Sequence, residues 1–296
     1  MYSKLETMKK SLVFLFLISS LAHAQEVDVF DLLDEPQQEE PVFATFKGTQ
    51  LINAQTNETP GKGVLQYVIS HRFGSFQNDY LYNFLGLDNA QIRMQLDYGL
   101  TRKLDIGVGR SSVLKTADSF LKYRLVEQKG KNRLPIGITL YSSLNYRNAR
   151  FTDGIEHNHS DRYSYMHQAI ISRKWNSNLS TLISPSLVHF NLVPASQDPN
   201  STFHLTLAGR YKLSPRVALT AESTLSSNYE YSTGERFTTP FALGVDIETG
   251  GHVFQIHLTN TRSLNAPYWM AQNPYVASDG GLFLGFNVSR VFTVRD

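Results

Sequence analysis

The chain has no cysteine, which excludes a disulfide framework, a thiolate zinc site and cysteine catalysis together. It has few charges, 18% of 296 residues. It also lacks long apolar runs. The best is Ser11 to Ala22, about a dozen residues where a helical span needs about 20, so a bundle of transmembrane helices is excluded. From Gly63 onward no helical apolar period of useful length occurs. What the chain does have is aromatics, 12% of it, with 15 Tyr and 18 Phe.

The short apolar run reads as an address. Lys9 and Lys10 precede it, and Ala22-His23-Ala24 follows it, the basic, apolar and small-residue pattern of a cleaved signal peptide. Residues 1–24 are therefore expected to be removed, with Met8 as an alternative start. No cysteine follows, which excludes a lipoprotein anchor. Residues 25–62 are expected to form an acidic periplasmic leader. Between Gln25 and Phe46 lie seven acids and no base, a polar, Pro-interrupted composition suited to a flexible segment. The stretch from Ala44 to Gly63 is half strand-like and half turn-like, and fits an extra strand, a plug or a linker.

The balance of 28 basic against 26 acidic residues hides a partition. Three of those bases and one acid fall in residues 1–24, which leaves 25 of each. Seven of the remaining acids belong to the leader, so the chain from Lys47 onward carries 18 acids and a formal charge of +7. A negative leader beside a positive barrel would be attracted to it.

Residues 63–296 alternate. Ile92, Met94, Leu96 and Tyr98 are apolar, with Gln91, Arg93, Gln95 and Asp97 between them. The same holds around Leu104–Val108, Leu121–Leu125, Phe203–Leu207, Leu243–Ile247 and Phe254–Leu258. Period two puts one apolar and one polar face on each strand. A soluble sandwich alternates too, but three features argue against one. About twelve segments of about nine to thirteen residues match tilted bilayer crossings. Connections alternate between tight and long, the mark of an outer-membrane barrel, except that the loop near Ser112 is short and Glu127 to Arg133 is long for a periplasmic turn. Tyr98, Tyr146, Tyr163, Tyr165, Trp175 and Tyr211 stand near strand ends, where interfacial girdles form. The pattern predicts an all-β fold, a transmembrane antiparallel up-and-down β-barrel in the outer membrane of a Gram-negative cell. Strands are expected near 63–73, 90–100, 103–111, 116–126, 134–146, 162–174, 179–191, 202–212, 216–227, 240–249, 252–261 and 281–293.

The stretch from Thr249 to Asn260 (TGGHVFQIHLTN) resembles one in an uncharacterised family of Bacteroidota outer-membrane β-barrel proteins. Phe46–Thr49 (FKGT) and Pro185–Asn191 (PSLVHFN) are similar to other segments of that family. The resemblance covers nearly all the chain after residue 24. It implies an outer-membrane barrel with no established activity, and adds no mechanism.

Alternation turns Arg93, Asp97, Asp105, Lys122, Arg124, His204, Arg210, Glu222, Asp246, Glu248 and His257 inward. These are the lumen-lining candidates. They suit a polar passage for small hydrophilic solutes, or a charge network filling a narrow barrel, where unpaired charge is costly. Twelve strands fall between a filled barrel and an open channel. Gly107, Gly109, Gly137, Gly209, Gly244 and Gly285 make room inside or relieve curvature.

No catalytic residue is assigned and the protein is not expected to be an enzyme. A lipid-cleaving triad would need Ser, His and a third group in reach. His189, Asn191, Ser184 and Ser186 supply the types without a fixed motif. His157 and His159, with Asp153, Glu156 and Asp161, are weak metal candidates. No cofactor is expected, since the Thr249-Gly250-Gly251 turn precedes no helix and suits a hairpin. Basic residues are spread, so no nucleic-acid partner is expected. Passive transport of small solutes is the leading function. A structural or partner-docking barrel with an occluded lumen is the alternative, and a membrane-embedded lipid hydrolase a remote one. Membrane lipid is the expected surrounding.

Overall fold

The computed structural model describes residues 41–42, 44–76, 81–82, 84, 86–130, 134–226 and 230–294. The expected signal segment 1–24 and the acidic residues 25–40 lie outside the described residues.

Twelve strands follow one another: β1 (Val64–Ser75), β2 (Gln91–Gly99), β3 (Leu104–Ser111), β4 (Thr116–Val126), β5 (Gly137–Arg147) and β6 (Tyr163–Lys174). They continue as β7 (Leu179–Phe190), β8 (Ser201–Lys212), β9 (Val217–Ser226), β10 (Phe241–Thr249), β11 (His252–Thr259) and β12 (Phe283–Thr293). Every strand pairs antiparallel with its sequence neighbour, and β1 closes the ring on β12 with Val68 opposite Ser289. Closure leaves no unpaired sheet edge, the condition for β-structure in hydrocarbon. Boundaries agree with the alternation to within about three residues.

The tight turns share one rim. The turn between β10 and β11 is closed by the Thr249–His252 pair, with Gly250 at φ 53° as a two-residue hairpin requires. The other rim carries the long connections together with the short one between β3 and β4, while the ten residues between β4 and β5 lie on the turn rim. One of the long connections, between β11 and β12, contains a short helix, α1 (Ala266–Ala271).

The outer face is apolar in its middle. Ile106, Val108, Leu121, Leu140, Leu207, Leu219, Leu243 and Ile256 are all 40% exposed or more. In water such a belt would be a contiguous apolar patch far larger than soluble chains show. In a bilayer it meets acyl chains. At the loop rim Tyr146 packs edge-on against Tyr163, with ring centres 5.0 Å apart. At the turn rim the Arg173 guanidinium lies 3.9 Å from the Trp175 ring centre. Both are amphipathic anchors at interface level.

Candidate functional site in the barrel lumen

The lumen is occupied from both ends. Residues 44–62 leave the turn rim, run inside and return to β1. Their tip is a compact reversal in which Leu51 N–H donates to Ala54 O at 2.8 Å and Thr56 N–H to Thr49 O at 3.0 Å. Three successive tip amides, Ile52, Asn53 and Ala54, donate to the Glu222 carboxylate on β9 at 3.2, 2.8 and 3.1 Å. The segment that composition left open between strand, plug and linker is therefore a plug.

Other wall charges also find their partners on the plug backbone. Lys122 Nζ donates to Thr49 O at 2.8 Å and Glu58 O at 3.2 Å. Arg124 donates to Asn57 O at 3.2 Å and Thr59 Oγ1 at 3.1 Å. Thr49 Oγ1 donates to Asp97 at 3.1 Å, and Asn287 Nδ2 to Ile52 O at 2.9 Å. Arg72 contacts the Asn53 side chain and the His257 ring, while Lys47 pairs with Glu248 at 3.1 Å. The plug returns to the wall through Gly61, which passes so close to β2 that a Cβ on Gly99 would lie 1.8 Å from Gly61 O.

A second filler enters from the loop rim. Asn265 donates to Asp118 at 3.1 Å and to Asn145 at 3.0 Å on the wall. Behind it Tyr268, Trp269, Met270 and Ala271 are buried. They join one apolar cluster with Phe46 and Leu51 of the plug and with Phe120, Tyr141, Met166, Ile170, Leu182 and Val188 of β4–β7. The lumen thus has an apolar sector on β4–β8 and a charged sector elsewhere, and each filler end meets its matching wall.

The eleven lumen-lining candidates all face inward, His204 among them with its Nδ1 2.9 Å from Ser226 Oγ. Arg93 pairs with Asp118 and reaches Gln95, which in turn donates to Asp97 at 2.8 Å. Arg210 pairs with Asp246 at 3.1 Å and with Glu248. Asp105 is fully buried with neither oxygen hydrogen-bonded, opposite Lys122 in register. Glu222, Lys122, Arg124, Asp97 and Glu248 hold the plug; Arg93 braces the wall. Among the nominated glycines, Gly107 and Gly109 leave the space taken by the Phe120 ring and the Arg93 guanidinium. Gly209, between buried Ala208 and Arg210, faces outward instead.

Sequence reasoning missed Arg72, Asp118, Asn287 and α1. Arg72 shares strand parity with Val68 and Ser70, which are buried beside it, and that parity was a usable signal. The α1 segment Ala-Pro-Tyr-Trp-Met-Ala is too apolar for a solvated loop, which was another.

His189 and the nominated serines do not meet. Its Nδ1 lies 2.8 Å from Ser201 Oγ on the outer face, while Ser184 and Ser186 are buried on the inner face of the same strand. Asn191 donates instead to Ser160 O at 2.8 Å. His157 and His159 take separate partners. His157 Nε2 is 2.7 Å from Asp153, and His159 Nδ1 is 3.0 Å from Tyr146 OH. The His157 hydrogen bond holds the Asp153 carboxyl below its usual range. Among the described residues no group of three or more His, Asp or Glu could hold a metal ion.

Residues 46–292 match the family model described as "Membrane bound beta barrel domain (DUF5777)". The chain belongs to that family. With its closed ring and apolar belt, this DUF5777 barrel resides in the outer membrane. No curated protein matches the chain. Solved barrels that are similar to it include a KdgM porin, at 8% identity over 78% of this chain and 99% of that one, TM-score 0.45. Outer membrane phospholipase A from Escherichia coli is 10% identical over 76% and 92%, TM-score 0.41. Omp33 of Acinetobacter baumannii is 7% identical over 79% and 100%, TM-score 0.41.

Proposed function

We propose that this DUF5777 protein is a gated conduit for small hydrophilic solutes, closed in the present state by its own residues 44–62. The observation that carries the reading is the Glu222 carboxylate, held by three plug amides and no wall cation within hydrogen-bond reach. A barrel meant to stay filled is built as well or better with apolar contacts, because buried charge costs several kcal/mol per ion to desolvate. Here Glu222 and Lys122 are satisfied by plug backbone groups, whose hydrogen bonds water can replace one for one. With the plug gone, Glu222, Lys122, Arg124 and Asp97 become a wetted wall beside the apolar sector that α1 still covers.

A second reading is a permanently closed barrel serving structure or partner docking. The burial of Trp269 and Met270 in the apolar cluster favours it, since withdrawing them would expose apolar wall to water. Solute uptake separates the two. Proteoliposomes holding the chain without residues 44–60 are expected to swell in small sugars and amino acids, while the full chain does not. Heat-shifted gel migration reports that the shortened chain is folded. A folded, plug-free barrel that stays impermeable would remove the conduit reading and leave the closed one.

A further inference from the structure

Beyond the lumen, the loop rim holds a cavity of about 870 Å³, within the range of small-molecule sites. Its walls come from the loops between β5 and β6, β7 and β8, and β9 and β10. Gln272 and Pro274, just after α1, also line it. We propose that this cavity is a binding site for a short saccharide of about two or three rings.

Preorganisation is the first support. Asn191 ties the β7–β8 loop to Ser160 O of the β5–β6 loop at 2.8 Å. Asp198 ties it to the β9–β10 loop, accepting from Ser232 N–H at 2.8 Å and Ser232 Oγ at 3.1 Å. Gln272 donates to Tyr231 OH at 3.2 Å, and Thr238 Oγ1 to Tyr275 O at 2.8 Å, which joins the β9–β10 loop to the α1 connection. Within the β5–β6 loop Arg162 donates to Arg147 O and Ala149 O at 3.1 and 2.8 Å. Four loops braced into one cup lose little conformational entropy on binding.

The lining chemistry is the second support. The Glu156 and Glu235 side chains line the cavity with no hydrogen bond or ion pair to any described residue. Arg147 also lines it, with its Nε buried and making no hydrogen bond. Phe237 supplies aromatic surface, while the Phe151 ring is packed against the Arg147 and Arg162 guanidinium groups and the His157 ring. A sugar ring needs acceptors and donors around its edge and an apolar surface for its C–H face. This wall offers all three. A fatty ligand would leave the charges desolvated; four acids and two arginines line the wall, so an organic cation is the competitor that the test must exclude.

The test is equilibrium binding to the full folded barrel in detergent, which is independent of whether the lumen opens. Maltotriose, cellotriose and xylotriose are titrated by calorimetry, with choline as the cationic control. At least one trimer is expected to bind with Kd below about 10 mM, since ligands of this size reach that range with modest contacts. The Glu156→Gln/Glu235→Gln pair is expected to weaken it about tenfold, and Phe237→Ala similarly, with unchanged heat-shifted migration. No binding by any trimer, binding unaffected by both variants, or binding of choline alone would each overturn the proposal. Because the readout is affinity and not uptake, a failed conduit and a failed saccharide site give different results.

Discussion

At the scale of single residues, Glu222 is the critical contact of the plug. Three amides converge on it, so Glu222→Ala strands several buried donors at once, each costing about 1–3 kcal/mol if water cannot reach it. The plug tip is expected to loosen. A cysteine at Asn53, in a chain otherwise free of thiols, should react at least tenfold faster with a water-soluble maleimide in the Glu222→Ala background. Glu222→Gln keeps an acceptor and is expected to fall between. Gly99→Ala should act from the other end of the plug, because its Cβ would collide with the Gly61 carbonyl; raised labelling at Asn53 checks this as well. The inward charges were readable because alternation assigns their face. Their partners were not, since Lys122 and Glu222 bind backbone atoms that no side-chain pattern encodes. Ser184 and His189 show the same parity rule working against a triad: five residues apart on one strand, they cannot share a face.

At the scale of elements, the strands follow from period two, and most edges were visible where Gly, Pro or Asn interrupts it, though the β3–β4 connection has none. A plug was one of three readings left open for its segment, and α1 was not visible as a lumen element. Residues 44–62 have no period, and their apolar Phe46, Leu51 and Ile52 are too irregularly spaced for helix or strand. The α1 segment sits in a connection whose length alone suggested a surface loop. Its burial gives a stability prediction. Trp269→Ala removes a side chain only 3% exposed, and changes of that kind cost about 3–5 kcal/mol in packed cores. Urea unfolding in detergent should show that loss, whereas Trp175→Ala, on the outer girdle, should cost far less. The β5–β6 loop has its own pH dependence. Because His157 holds Asp153 low, their contact is fully present above the ordinary carboxylate pKa of about 3.9 and is lost as pH falls through the lowered value. The Asp153 side-chain carboxyl carbon resonance should report the change in that acid window.

At the scale of the whole molecule, the two faces of the wall are tuned to different solvents, and substitutions should divide accordingly. Ile106→Arg on the lipid belt is expected to cost about 2–4 kcal/mol near mid-bilayer. Arg93→Leu should instead cost through the Asp118 carboxylate it leaves unpaired, a loss the Arg93→Leu/Asp118→Leu pair would largely restore. Folding yield in lipid vesicles against urea measures both. The central claim is that the charged sector is the wall of a path the plug keeps shut. Thr49 Oγ1 and the Asp97 carboxylate are 3.1 Å apart, so Thr49→Cys/Asp97→Cys can tie plug to wall by a disulfide. The decisive measurement is single-channel recording of that pair in the Glu222→Ala background, oxidised and then reduced. The gated barrel predicts silence when oxidised and discrete openings after reduction. Openings that ignore the redox state, or silence in both, would contradict it.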